Sequence, residues 1–238
     1  MAFDLDGTLT ELTQDPHATA LPDHVSEVLE DLSQHPALEI AIVTGRDLSA
    51  FTRMVKITNI WRAVEHGGLV FPPAAEAHAP AITSAQKSQL RKFEVWAEVH
   101  AVPLGAELEV KRTARGLHVR RLAATNPMLA EQLMDEASRE ASLLGLHVRT
   151  GRKMVEADSQ RSRKVTALEQ ILRLSRASSL FFAGDDHTDF ESIRFARRKH
   201  GIGVFVRSLE RPQGPRAVTL NGPFEVQEML EELRRALR

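Results

Sequence analysis

The chain has 238 residues, 42% of them hydrophobic and 26% charged, with a formal net charge of −1. This is an ordinary soluble composition, long enough for one large domain or a domain with an insert. It shows neither the basic surplus of a nucleic-acid binder nor the apolar run of about 18 residues that a membrane helix needs. Cysteine is absent, which excludes disulfides, thiolate catalysis and thiolate zinc sites. Nothing at the start reads as a signal sequence. The expectation is a cytoplasmic monomer that acts on a small molecule, with neither nucleic acid nor a membrane as partner.

The first element is a short apolar run ending at Asp4-Leu-Asp6-Gly7-Thr8. Val25, Val28, Leu29 and Leu32 then recur at helical spacing behind Pro22-Asp23. Leu38 to Thr44 reads as a buried strand, Asp47 to Val55 as a helix, and Ala63 to Phe71 as strand-like, broken at Gly67-Gly68. This β-α-β-α-β rhythm predicts a Rossmann-like, doubly wound α/β fold with a parallel sheet, whose ligands bind beyond the carboxyl ends of the strands.

Composition shifts at Phe71 to Pro80, which reads as a linker. Beyond it the pattern predicts a helix over 83–99, a hairpin over 104–111 and 116–122, a helix from Asn126-Pro127 to about Leu144, and strands over 146–150 and 153–157. This α-β-β-α-β-β segment is expected to be an α+β domain of its own, residues 79–158, inserted into a core of 1–78 and 159–238. From Arg163 the first rhythm resumes. A helix carries Val165, Leu168, Ile171 and Leu172; a strand over 179–183 leads into Gly184-Asp185-Asp186; two more strands and an amphipathic C-terminal helix follow.

Four places carry chemistry. Asp4 and Asp6 lie two apart at a strand end and so converge on one volume. Like charges that close need a cation or a proton, and a hard ion with oxygen ligands, most simply Mg²⁺, suits them. One carboxylate can then attack phosphorus while the other moves protons; the alternative is an Asp-Gly turn. Thr44-Gly45-Arg46 offers a hydroxyl and backbone N–H groups to a phosphate, or only a helix cap. Lys164 can supply the fixed positive charge that a transferred phosphoryl group requires, though most lysines are merely solvated. Arg161 and Arg163 flank it and leave the register open. Asp185, Asp186 and Asp189 place three carboxylates in five positions at a strand end, costly without a cation. Asp185 is the expected direct ligand, Asp186 a further one, and Asp189 a ligand through water or a supporting partner, or else a helix cap. His187 reads as a loop histidine, since imidazole suits softer metals.

Phe3-Asp-Leu-Asp-Gly-Thr-Leu-Thr10 resembles the nucleophile motif of the haloacid dehalogenase superfamily, and the other three segments follow in that superfamily's order. The resemblance implies that Asp4 is phosphorylated and that Asp6 is the general acid/base, with its backbone carbonyl on the metal. It also implies that the insert is the superfamily's larger (C2) type of cap. Finer details resemble trehalose-6-phosphate phosphatases: Asp15-Pro16 and Ala18 after the first motif, Glu65-His66-Gly67-Gly68, Glu109-Val-Lys111, His118-Val-Arg120, Gly151-Arg-Lys-Met-Val-Glu156 and Gly184-Asp-Asp-His-Thr-Asp189. That likeness implies substrate contacts from Gly45, Arg46, His66, Lys111, His118, Arg120 and Glu156, with Arg152 and Lys153 as further candidates. Charged residues that alternate on a hairpin are otherwise its solvent face. The chain departs from the family at Val119, where tyrosine is common, at Phe190-Glu191, and at Val165, where glycine usually follows the lysine. Trehalose 6-phosphate is the implied substrate. Sucrose-phosphate and glucosyl- or mannosyl-phosphoglycerate phosphatases, a phosphosugar mutase and a non-catalytic sensor are the alternatives.

Overall fold

The computed structural model describes residues 1–13, 19–151, 153–208 and 213–237. Asp15, Pro16, Ala18 and Arg152 lie outside the described residues. The chain divides into two compact units, Met1–Ala79 with Ser162–Arg238, and Pro80–Arg161.

The first unit is built on a seven-stranded sheet. Its strands are β1 (Ala2–Phe3), β2 (Ala41–Val43), β3 (Trp61–Val64), β4 (Leu69–Phe71), β9 (Phe181–Gly184), β10 (Ile202–Arg207) and β11 (Val218–Asn221); β5 to β8 belong to the insert. The order is β11-β10-β9-β1-β2-β3-β4. All neighbours are parallel except β3 and β4. The strand-like stretch at 63–71, broken at Gly67-Gly68, is two strands, and the second runs antiparallel to the first rather than continuing the parallel rhythm. The connection between β3 and β4 is too short for a parallel crossover, so the chain must turn back on itself. It does so through Glu65 (φ 53°), His66 (φ 54°) and Gly67 (φ 88°), all left-handed.

β1 lies at the switch point, where one half of the sheet winds to β2 and β3 and the other to β9, β10 and β11. Helices α1 (Asp23–Ser33), α2 (Leu48–Met54) and α8 (Pro223–Ala236) cover one face, with Val25, Leu29, Phe51, Val226 and Leu230 packed against Phe3, Ile42 and Val206. Helices α6 (Lys164–Ser175) and α7 (Phe190–Arg198) cover the other, with Leu168, Ile171, Ile193 and Phe195 against Val43 and Phe182. Each large side chain in these cores contributes about 1.5–3 kcal/mol of burial. Sequence patterning did not reveal α7, whose few apolar positions are separated by Glu191, Arg194, Arg197 and Arg198.

The insert holds a four-stranded antiparallel sheet in the order β5-β6-β8-β7, from β5 (Glu107–Val110), β6 (Ala114–His118), β7 (His147–Gly151) and β8 (Met154–Asp158). Helices α3 (Ser84–His100) and α5 (Pro127–Leu143) pack Leu90, Phe93, Ala97, Leu133 and Ala137 onto Leu117, Val155 and Ala157. Thr83 and Gln86 close a capping box at the start of α3, and Asn126 caps α5 ahead of Pro127. One expectation fails here: the second hairpin strand stops at His118, and 120–125 form a short helix, α4 (Arg120–Thr125). Val119, Leu122 and Ala123 have helical spacing, and Val119 and Leu122 turn into the core. No helix among the described residues is long and apolar enough to cross a membrane.

Candidate active site

The site lies at the carboxyl end of β1. Asp4 follows the strand directly, its N–H donating to the carbonyl of Ala183 at 2.9 Å. The chain then doubles back at once: Leu9 and Thr10 both donate to the carbonyl of Leu5, and Gly7 (φ 80°) donates to that of Thr10. Only glycine takes that backbone without strain. A Cβ on Gly7 would also run into the carboxylate of Asp185. Replacing Gly7 by Ala is therefore expected to displace Asp185. Divalent-cation affinity should fall roughly 10-fold to 100-fold with the far-ultraviolet circular dichroism unchanged, a pairing that titration calorimetry and spectroscopy would check.

Asp4 is 5% exposed, Asp185 2% and Asp189 fully buried. Oxygens of all three lie within 4.8 Å of one another. Lys164, buried at the start of α6, donates to Asp4 at 2.7 Å and to Asp189 at 2.8 Å. Asp189 also accepts from the Asp186 N–H at 3.1 Å. A lysine in the first helical turn opposes the helix dipole, so the two carboxylates hold it there. They raise its pKa despite burial, and it stays charged throughout the neutral range. Burial pushes the Asp4 carboxyl well above the usual carboxylate range; Lys164 opposes this, and Asp189 and Asp185 add to it. Three ionised carboxylates against one ammonium leave a net buried charge of −2, which calls for a cation. The donors in this cluster are all carboxylate oxygens, the set a hard divalent ion takes.

Asp6 and Asp186 are placed differently. The guanidinium of Arg46 grips Asp6 as a fork, Nε to one oxygen at 2.9 Å and Nη2 to the other at 2.6 Å. Asp186 faces His187 at 3.1 Å and caps the turn over 187–189. Neither carboxylate is in the three-residue cluster. Of the basic residues around 161–164, Lys164 reaches Asp4, whereas Arg163 pairs with Glu191 at the surface.

Thr44 follows β2 and is buried; its hydroxyl oxygen accepts from the N–H of Arg46 at 3.1 Å, which directs its own proton elsewhere. The left-handed Glu65-His66 turn is bonded to this loop, Glu65 N–H to the Arg46 carbonyl at 2.8 Å and His66 N–H to the Thr44 carbonyl at 2.9 Å. The His66 ring lies where a Cβ on Gly45 would be, 2.5 Å from that position. His66, Gly45 and Arg46 thus form one unit beside Asp6.

The insert brings together Lys111, His118 and Glu156 on the sheet face opposite its helices. Glu156 receives Lys111 at 2.5 Å and Arg149 at 2.9 Å. Glu109 receives His118 at 3.0 Å, and its pKa is lowered by His118 and Lys111 against the effect of burial. Gly116 lies between them, where a Cβ would be 3.0 Å from Glu109 and 3.4 Å from His118. Arg120 is exposed at the head of α4, and Lys153 is exposed in the turn between β7 and β8. Sequence reasoning named neither Arg149 nor Asp158 as part of this group. For Asp158 a signal was available: Glu156 and Asp158 are two apart on a strand, the spacing that singled out Asp4 and Asp6.

A protein-family model described as trehalose-phosphatase matches residues 2–221. An uncharacterized glycosyl hydrolase of Mycobacterium tuberculosis is 32% identical over 245 aligned residues, 97% of this chain and 18% of that protein. A trehalose-phosphate phosphatase of the same species is 29% identical, covering 99% of this chain and 61% of its own length. The chain thus spans only part of the relatives it matches. Among solved structures, the C-terminal domain of Candida albicans trehalose-6-phosphate phosphatase has a TM-score of 0.80 at 22% identity, covering 98% of this chain and 91% of its own. The C-terminal domain of a C. albicans trehalose synthase regulatory protein has a TM-score of 0.72 at 14% identity, covering 98% of this chain and 92% of its own. A fold shared by a phosphatase domain and a regulatory-protein domain does not fix activity, which must be argued from side chains.

Proposed function

The chain belongs to the trehalose-phosphatase family, and from that premise we propose that it hydrolyses trehalose 6-phosphate to trehalose and phosphate with Mg²⁺ as cofactor. The observation that carries this reading is the pair Asp4 and Asp6 at the switch point, with Lys164 buried against the first and Arg46 gripping the second.

An Asp4 oxygen attacks phosphorus in line with the sugar oxygen. As the bond to that oxygen breaks, Asp6 gives it a proton, and the phosphoryl group is left on Asp4. Asp6 then takes a proton from water. The resulting hydroxide attacks phosphorus, the bond to Asp4 breaks, and phosphate leaves. Lys164 holds Asp4 in line, and with the Thr44 hydroxyl it stabilises the equatorial oxygens on which charge collects. Asp4, Asp185 and Asp189 would hold Mg²⁺, which would supply further positive charge against those oxygens. The Arg46 fork keeps Asp6 in one orientation, supported by the His66 turn.

We assign recognition of the sugar hydroxyls to the sheet face of the insert opposite its helices, where Glu109 and Glu156 accept and Lys111 and His118 donate. A sensor would need neither Asp4 nor Asp6, and the chain carries both. The test is phosphate release from a panel of trehalose 6-phosphate, sucrose 6-phosphate, glucose 6-phosphate and glucosylglycerate phosphates. The expected result is a kcat/KM at least about 10-fold higher for trehalose 6-phosphate, lost on chelation. A preference for another member would keep the chemistry and overturn the substrate.

A further inference from the structure

On the insert's sheet, Glu109, Gly116, Glu156 and Arg149 stand in one cross-strand row. Glu156 and Asp158 point to the same face of β8, two residues apart, and each is only 1% exposed. Without a cation between them their charges would repel and both side chains would turn away from each other. Arg149, on the neighbouring strand β7, stands between them. One nitrogen, Nη1, donates to Glu156 at 2.9 Å and to Asp158 at 2.9 Å. Asp158 is anchored in turn by the Gln160 N–H at 2.8 Å. Lys111 reaches the other oxygen of Glu156 at 2.5 Å, so the two Glu156 oxygens have different cations and the carboxylate has one orientation.

We propose that Arg149 is a positioning residue for sugar selectivity: bridging Asp158 and Glu156 from a single nitrogen, it holds Glu156 against Lys111 in the orientation that reads the sugar hydroxyls. This rests on the assignment of those hydroxyls to the insert. The geometry explains why an arginine stands where β7 would otherwise show only its solvent face. Asp158 acts as the anchor for Arg149, and Arg149 transmits that anchor to Glu156. Lysine at 149 keeps a cation beside the two carboxylates, whereas a neutral side chain of similar length does not.

The test uses the full chain with Mg²⁺ and two substrates, trehalose 6-phosphate and p-nitrophenyl phosphate, which has no sugar hydroxyls. Arg149→Met is expected to raise KM for trehalose 6-phosphate roughly 10-fold to 100-fold, with kcat on p-nitrophenyl phosphate within about twofold of wild type. Arg149→Lys should recover most of the lost affinity. Should Arg149→Met fail to fold, the double variant Arg149→Met/Asp158→Asn decides instead. It removes the opposed buried charges but still leaves Glu156 without its bridge, so the same rise in KM is expected. An unchanged KM in either folded variant overturns the proposal, as does an equal loss on both substrates, which would mark a purely structural role. A wild-type enzyme that shows no preference for sugar phosphates over p-nitrophenyl phosphate overturns the substrate reading itself and this assignment with it. That outcome is read before any variant is made.

Discussion

Replacing Asp4 by Asn is expected to stop phosphate release, with kcat falling roughly 10⁴-fold to 10⁶-fold, as when a nucleophile is removed. The fold should survive. In the metal-free protein the change ought even to stabilise it, because Asp4 is one of three carboxylates around a single ammonium. The sign follows from its titration. Burial, with Asp189 and Asp185, raises the folded pKa well above the usual carboxylate range, against the pull of Lys164. Below about pH 4 Asp4 is protonated in both folded and unfolded chains and contributes no difference. Above that, ionising it costs more in the folded state, so the wild type loses stability relative to Asp4→Asn as pH rises. Mg²⁺ should reverse the order, since binding only the folded protein stabilises it in proportion to ligand concentration over Kd. Thermal melts of both proteins in chelator and in Mg²⁺ at pH 4, 6 and 8 test this. A variant less stable than wild type in chelator at every pH would show that the Lys164 bridge outweighs the repulsion.

Replacing Lys164 by Met has the opposite consequence for stability. The side chain is buried between Asp4 and Asp189. Its removal leaves three buried carboxylates without a protein cation, and breaking a buried pair in this way costs about 3–5 kcal/mol. For a protein of this size that lowers the melting midpoint by roughly 10 °C in chelator, and Mg²⁺ should recover part of it. Activity should fall as well, by about 10²-fold to 10³-fold in kcat, because the equatorial oxygens lose one of their fixed charges. Calorimetry with and without Mg²⁺, beside single-turnover kinetics, separates the two effects. A midpoint unchanged in chelator would mean that Asp4 and Asp189 are protonated there and do not need the lysine.

The site was legible in the sequence wherever charge collects at a strand end, since Asp4, Asp6 and the Asp185 to Asp189 run have few bland explanations. Helices with a sustained 3.6-residue period, such as α1, α3 and α8, were legible for the same reason: a buried stripe leaves its spacing in the chain. The rest depended on pairing between distant segments. Nothing local to residues 147–151 shows that Arg149 will sit beside Glu156, because strand register is set across the sheet. The grip of Arg46 on Asp6 spans two strand ends and is equally invisible. Residues 119–122 were read with the wrong period because so short an apolar pattern fits a strand or a helix turn. The direction of β4 followed from loop length, a constraint that strand propensity does not carry.

The position of β1 has a consequence for how the molecule is made. Ala2 and Phe3 pair on one side with Ala41 and Ile42, which follow soon in the chain, and on the other with Phe182 and Ala183, which emerge only after the whole insert has been synthesised. Closing so long a loop is entropically slow. Among the described residues the insert's strands pair only with one another and enclose a separate apolar core, so on a ribosome it has the means to fold by itself, while the half-sheet of β1 to β4 waits with one edge open. Asp4 meets Asp185 and Asp189, which follow β9, only when that edge closes. A nascent chain stalled before β9 therefore carries Asp4 and Lys164 without Asp185 and Asp189, the two carboxylates that complete the buried cluster.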